Sequence, residues 1–78
     1  MAIKLLIVED HPIVRLGINM LFENLEDVFI MGETGSVSEA LHLIPAFQPD
    51  VVLMDIELSG INAIATIKDL HPETVVVA

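Results

Sequence analysis

Apolar residues fall in short runs closed by polar clusters, and the clusters recur at intervals that suit alternating strands and helices. Residues 3–8 are apolar except for Lys4 and end in Glu9-Asp10-His11-Pro12. A nearly continuous run of that length suits a parallel strand buried on both faces. Pro12 fits the first position of a helix, where its missing N–H is not needed. Ile13, Leu16, Gly17, Met20 and Leu21 then follow the spacing of a core-facing stripe, predicting a helix over about residues 12–25. A second strand is expected over residues 28–31, extending toward Thr34. Ser36 and Glu39 form a capping-box pattern, and Val37, Ala40, Leu41 and Ile44 make the next apolar stripe. Pro45 should weaken or kink the last turn of that helix, which Gln48-Pro49 closes. Residues 50–54 form the third strand, ending in Asp55. After a loop over 56–60, Ile61, Ile64, Ala65 and Lys68 share a helical face with Ile67 beside it, and His71-Pro72 ends the helix. Residues 74–77 read as a fourth strand.

Strands alternating with helices through short connections predict an α/β, doubly wound parallel sheet with right-handed crossovers. Seventy-eight residues allow one domain at most. Hydrophobic residues make up 54% of the chain, too many for a disordered segment, and with no Trp or Tyr the core must be aliphatic. Met20, Met31 and Met54 are expected to fill it.

Charge narrows the function. Twelve acids against three bases give a net charge of -9, which opposes direct binding to nucleic acid or an anionic membrane and suits a divalent cation or a basic partner. The absence of cysteine excludes disulfides, thiol catalysis and zinc–thiolate sites. No secretory signal is evident, and no apolar run approaches the roughly 20 residues that span a bilayer, so a cytoplasmic location is expected.

Two acidic positions stand out because each follows a strand. Glu9-Asp10 comes after the first and Asp55 after the third. In a doubly wound sheet of flavodoxin-like order, ligands bind outside the carboxyl ends of the strands, where strand order reverses. That crevice lies between the first and third strands and would unite residues 45 positions apart. Crowded carboxylates repel one another unless a cation neutralises them, and Mg²⁺ takes one or two carboxylates together with water and phosphate oxygens. An aspartate beside such an ion is placed to attack phosphorus. The plainer alternative is that Glu9 and Asp10 only cap a helix and Asp55 only ends a strand. His11 is expected to face solvent at the start of the helix, with a metal ligand or proton carrier as the alternative, Arg15 to lie on its polar face, and His42 and His71 to be surface residues.

Leu5-Leu6-Ile7-Val8-Glu9-Asp10-His11-Pro12-Ile13-Val14-Arg15 and Pro49-Asp50-Val51-Val52-Leu53-Met54-Asp55-Ile56 resemble the two hallmark segments of bacterial response-regulator receiver domains (the CheY-like fold). The stretch from Glu9 to Gly17 is most similar to regulators of the NarL/FixJ (LuxR-type) group, whose receiver precedes a helix-turn-helix DNA-binding domain. The resemblance covers the whole chain and implies a signalling protein rather than an enzyme. Asp55 would take a phosphoryl group from a phosphohistidine on a sensor histidine kinase. Asp10, Asp55 and the backbone carbonyl of Glu57 would hold Mg²⁺, with Glu9 supporting the ion directly or through water. DNA would be reached only through an output domain not contained in this sequence.

The sequence departs from the family in two ways. Leu58, Ser59 and Ala63 stand where Met, Pro and Gly are usual, which leaves the loop beside Asp55 less restricted. The family pattern also continues past the fourth strand with a hydroxyl residue, a lysine and further elements, so residues 1–78 read as an incomplete receiver, truncated after the fourth strand. The fourth strand is then an uncovered apolar edge and is expected to recruit a second copy. The rival reading is a pseudo-receiver, a module for protein interaction or dimerisation that is not phosphorylated. A haloacid-dehalogenase-type enzyme is disfavoured because Pro12 stands where its second aspartate belongs. A dinucleotide-binding domain is disfavoured because no G-x-G-x-x-G follows the first strand.

Overall fold

The computed structural model describes residues 2–54, 65–71 and 74–77. Along them run β1 (Ile3–Val8), α1 (Pro12–Phe22), β2 (Val28–Thr34), α2 (Val37–Phe47), β3 (Val51–Met54), a helical stretch at residues 65–70 that we call α3, and β4 (Val75–Val77). The strands form one sheet in the order β2-β1-β3-β4, and each neighbouring pair is parallel. This is the flavodoxin-like order the sequence predicts.

Each face of the sheet collects alternate residues of the strands. Leu6, Val8, Val52 and Met54 pack with Ala40 and Ile44 of α2 and with Ile67 of α3. Ile67 is fully buried, whereas Ala65 and Lys68, expected on one face with it alongside, are exposed. Leu5 and Ile7, buried on the opposite face, lie on the side that receives α1. There the Asn19 side-chain amide donates to Glu33 Oε1 of β2 at 2.8 Å.

The phase of α1 differs from the expectation. Ile13, Leu16, Met20 and Leu21 are 83%, 60%, 59% and 73% exposed, so the predicted core stripe faces away from the sheet. Arg15, Ile18, Asn19 and Phe22 are half-buried instead, at the same i, i+3, i+4, i+7 spacing. Arg15 is therefore on the inner side of the helix and not on a polar outer face. Met54 is buried and Met31 half-buried as expected, but Met20 does not enter the core. The helix also stops earlier than expected, at Phe22, because Leu25 N–H bonds back to Phe22 O at 3.0 Å in a turn.

α2 begins and ends as its residues dictate. Ser36 Oγ accepts from Glu39 N–H at 3.3 Å, and Ser36 N–H donates to Thr34 Oγ1 at 3.1 Å. Pro45 has no N–H to give, yet the helix runs two residues further, to Phe47. Gln48 then turns left-handed, with φ 50°, and its N–H reaches Ile44 O at 2.7 Å. A residue before proline is disfavoured in the right-handed helical region, so Pro49 reinforces this stop.

Two further details position the site. Between Leu5 and Leu6 the β1–β2 register shifts, so that Leu5 pairs with Ile30 and Leu6 with Gly32, leaving Met31 as an extra residue in β2. At the amino ends of the strands, Asp50 accepts from Lys4 N–H through its carboxylate and gives its own N–H to Lys4 O, both at 2.8 Å. β4 pairs only with β3 among the described residues, and Val75 and Val77 are 52% and 45% exposed, as expected of an uncovered edge.

Candidate functional site

Val8 at the end of β1 and Met54 at the end of β3 are register partners. The chain therefore leaves both strands side by side, at the switch point where doubly wound sheets bind ligands. Asp55 and Glu57, the expected phosphoacceptor and carbonyl donor, follow Met54 and lie outside the described residues. Glu9 and Asp10 follow Val8 directly.

Glu9 is anchored at both ends. Its N–H donates to Thr34 O of β2 at 2.8 Å, and its side chain is only 8% exposed. Glu9 Oε1 accepts from His11 N–H at 3.0 Å and lies 2.6 Å from His11 Nδ1. The same Nδ1 stands 2.9 Å from Asp10 Oδ1. Carboxylates only accept, so Nδ1 carries the hydrogen and shares it between the two acids. Asp10 and His11 side chains are 46% and 64% exposed, which leaves the cluster open to solvent on one side.

The capping alternative describes part of this turn, because Glu9 Oε1 accepts from the N–H of His11 at the start of α1. His11 is the N-cap residue of α1 and makes no side-chain capping bond, while both acids turn toward its imidazole. His11 is exposed at the start of α1, as expected, but sequence reading did not foresee that its ring would lie against both acids. The available signal was an imidazole placed directly after two acids and before Pro12 at a strand end.

Gly35 supports the cluster from behind. A Cβ built there would lie 3.2 Å from Asp10 Cα and 3.4 Å from Asp10 Cβ, closer than side chains ordinarily pack against backbone. One ligand atom each from Glu9, Asp10 and His11 lies within 4.8 Å of the others, the only such grouping among the described residues. Two hard carboxylate oxygens beside an imidazole nitrogen suit a divalent cation. His42, by contrast, bonds Ser38 O at 2.8 Å on the exposed side of α2, as a surface residue should. A hollow of about 510 Å³ at the opposite end, lined by Lys4, Gln48, Asp50 and His71, holds no such acidic cluster.

Known proteins with this pattern agree with one another. Residues 5–78 match the response regulator receiver domain family. The chain is 40% identical over 79 residues to the response regulator GacA of Pseudomonas syringae pv. syringae (strain B728a), covering 97% of this chain and 37% of GacA. It is 27% identical over 70 residues to the nitrate/nitrite response regulator protein NarL of Escherichia coli (strain K12), covering 90% of this chain and 32% of NarL. The isolated receiver (REC) domain of RcsB from Salmonella enterica serovar Typhimurium, in its apo form, superposes with a TM-score of 0.90 at 29% identity, over 95% of this chain and 56% of that one. The chain thus spans about a third of the length of the curated regulators it matches. An acidic pair after β1, register-matched strand ends at the switch point and a family match over nearly every residue lead to one conclusion: the chain belongs to the response-regulator receiver family, alongside regulators of the NarL and GacA type.

Proposed function

We propose that this chain is the phosphoacceptor portion of a two-component receiver, taking a phosphoryl group from a sensor histidine kinase onto Asp55. The observation that supports the reading is the pairing of Val8 with Met54, which brings the end of the strand before Glu9-Asp10 beside the end of the strand before Asp55. A carboxylate oxygen of Asp55 would attack phosphorus while the donor's P–N bond breaks, giving an acyl phosphate on Asp55 and a free imidazole on the kinase. Asp10, Asp55 and the Glu57 carbonyl would hold Mg²⁺, with Glu9 supporting the ion. A bound Mg²⁺ supplies positive charge that offsets repulsion between the anionic nucleophile and the anionic phosphoryl group. The chain's own contribution is to hold Glu9 and Asp10 at the end of a buried strand, with Glu9 N–H bonded to Thr34 O. Such transfer is kinase signalling of the cytoplasm, and DNA would be met only through an output domain outside this sequence.

The test is the intact mass after incubation with acetyl phosphate, with and without Mg²⁺, beside an Asp55→Asn variant. A Mg²⁺-dependent phosphoryl adduct, absent in the variant, is the expected result. A folded chain that takes no adduct, while a longer chain containing it does, would limit the reading to the complete domain. No adduct on either would favour the pseudo-receiver.

Gly35 gives a finer check on the same site. Gly35→Ala pushes on the Asp10 backbone, so it should weaken Mg²⁺ affinity by about tenfold, the low end of what lost outer support costs a metal site. Its far-UV circular dichroism should match that of the parent.

One observation favours a self-associating form. β4 pairs only with β3 among the described residues, and α1 presents Ile13, Leu16, Met20 and Leu21 to solvent as an apolar stripe. Coverage of 56% of the isolated RcsB receiver supports the reading that residues 1–78 form the leading, incomplete part of a receiver. We expect this chain to sediment as a dimer or larger species at micromolar concentration, and Val77→Lys on the open edge to shift it toward monomer. A monodisperse monomer of the parent chain would remove this reading.

A further inference from the structure

We infer that Thr34 is a positioning residue for the acidic turn, its buried hydroxyl fixing the strand end on which Glu9 and Asp10 rest. This rests on the reading of Glu9 and Asp10 as holders of Mg²⁺ and names what keeps them in place.

Thr34 ends β2 and stands opposite Val8 in the sheet register, on the face where the apolar layer is packed. It is 3% exposed, at a place where valine would fill similar space with no polar atom to satisfy. The hydroxyl finds its partners two residues on. Thr34 Oγ1 accepts from Ser36 N–H at 3.1 Å and donates to Ser36 O at 3.4 Å. The two bonds form a clasp that spans Gly35.

Both backbone contacts to the acidic turn come from the segment inside this clasp. Thr34 O accepts from Glu9 N–H at 2.8 Å. Gly35 lies against Asp10, so close that a Cβ there would stand 3.2 Å from Asp10 Cα and 3.7 Å from Glu9 O. That approach requires glycine, and glycine brings backbone freedom that would let the Thr34–Gly35 peptide turn away from Glu9. The clasp removes the freedom. Ser36 is itself fixed on the far side, where its carbonyl receives Ala40 N–H at 3.0 Å and its Oγ receives Glu39 N–H at 3.3 Å. The start of α2 therefore holds the seat of the acidic turn through one hydroxyl.

Cation chemistry makes that seat matter. Two acids in one turn repel each other, and an ion gains from both only if outer contacts keep their oxygens oriented. The competing role for the hydroxyl is simply to begin α2. Two substitutions separate the roles. Thr34→Val keeps the packing and deletes the clasp, and water can replace it at Ser36, which is exposed. Thr34→Ser keeps the clasp and deletes a buried methyl group.

The experiment compares the parent with Thr34→Val, Thr34→Ser and Asp10→Asn. Mg²⁺ affinity is read by calorimetry, stability by metal-free thermal melts, and the seat itself by amide hydrogen exchange without metal. We expect Thr34→Val to keep the parent's helical circular dichroism yet bind Mg²⁺ about tenfold more weakly, the low end for lost outer support. Thr34→Ser should melt lower than the parent and bind Mg²⁺ as the parent does. Without metal, the Glu9 amide should exchange faster in Thr34→Val, while that of Ile7 within β1 keeps the parent's rate. Parent-like Mg²⁺ affinity in Thr34→Val, or equal weakening in Thr34→Ser, would overturn the role of Thr34. Binding lost in Asp10→Asn would in that case leave the carboxylate site standing. A folded parent that takes no Mg²⁺, or an Asp10→Asn chain that binds as the parent does, would overturn that site and this inference with it.

Discussion

Leu6→Ala should leave the chain largely unfolded at room temperature. Leu6 is fully buried at the centre of the sheet, in the same cluster as Ile44 of α2 and Ile67 of α3. Truncating a buried leucine to alanine costs about 2–5 kcal/mol through lost transfer energy and the cavity left behind. Native domains are stable by only roughly 0.05–0.15 kcal/mol per residue, so a chain of 78 residues has little to spare. This chain also leaves much of α1 and β4 uncovered, which removes apolar burial that a larger domain would have. A helical signal lost by circular dichroism, or a urea midpoint near zero, is the expected outcome. The contrasting substitution is Leu16→Ala on the exposed side of α1, which should change the unfolding free energy by no more than about 0.5 kcal/mol, as surface changes do. If both variants behaved alike, the division of α1 into an inner and an outer face would be wrong.

The second large effect concerns the cation site. Asp10→Asn is expected to lower Mg²⁺ affinity by more than the roughly 10–100-fold that follows loss of a metal site's outer support, because it removes a ligand charge itself. The sign of the stability change separates this from simple damage. Asp10 is 46% exposed and carries no buried packing, and its removal relieves the charge density it shares with Glu9. The melting temperature without metal should therefore not fall. What should disappear is the rise on adding Mg²⁺, since a ligand at 100 times its dissociation constant stabilises the folded state by about 2.7 kcal/mol. Thermal melts of both chains with and without Mg²⁺ measure this directly. A metal-free melting temperature well below the parent's would mean that Asp10 is structural.

How much of this could be read from residues alone differs from element to element. The sheet order and the α2 stripe were legible because buried parallel strands and a single apolar face each leave one strong periodic signal. Ser36 was legible because capping needs one side-chain oxygen at one position. The phase of α1 was not legible. Its residues are apolar on two sides, so Ile13-Leu16-Met20-Leu21 and Ile18-Phe22 both satisfy helical spacing, and periodicity offers no ground for choosing between them. The choice is made by tertiary contact, where the Asn19 amide meets Glu33 across the β2 surface. The exposure of His11 was legible, but its bonds to the acids escaped for a different reason. Its contact with Glu9 spans two residues of a non-helical turn, and such contacts have no repeating pattern to detect. Glu9 and Asp10 were legible as candidates because two acids directly after an apolar strand conflict with burial unless something binds them.

Met31 gives β2 a property the other described strands lack. Strand β1 spends one residue on each step past it, while β2 spends two between Ile30 and Gly32. If that slack were ironed out, Glu33 rather than Thr34 would stand opposite Val8, on the face where the apolar layer is packed. A chain shortened by this one residue could close the gap and keep every pairing from Gly32 onward, including the Thr34 carbonyl that receives Glu9. A chain lengthened by one has no such reserve. Evolutionary or engineered changes of length should therefore be tolerated asymmetrically in β2, with single deletions near Met31 surviving where single insertions shift the acidic turn off its seat.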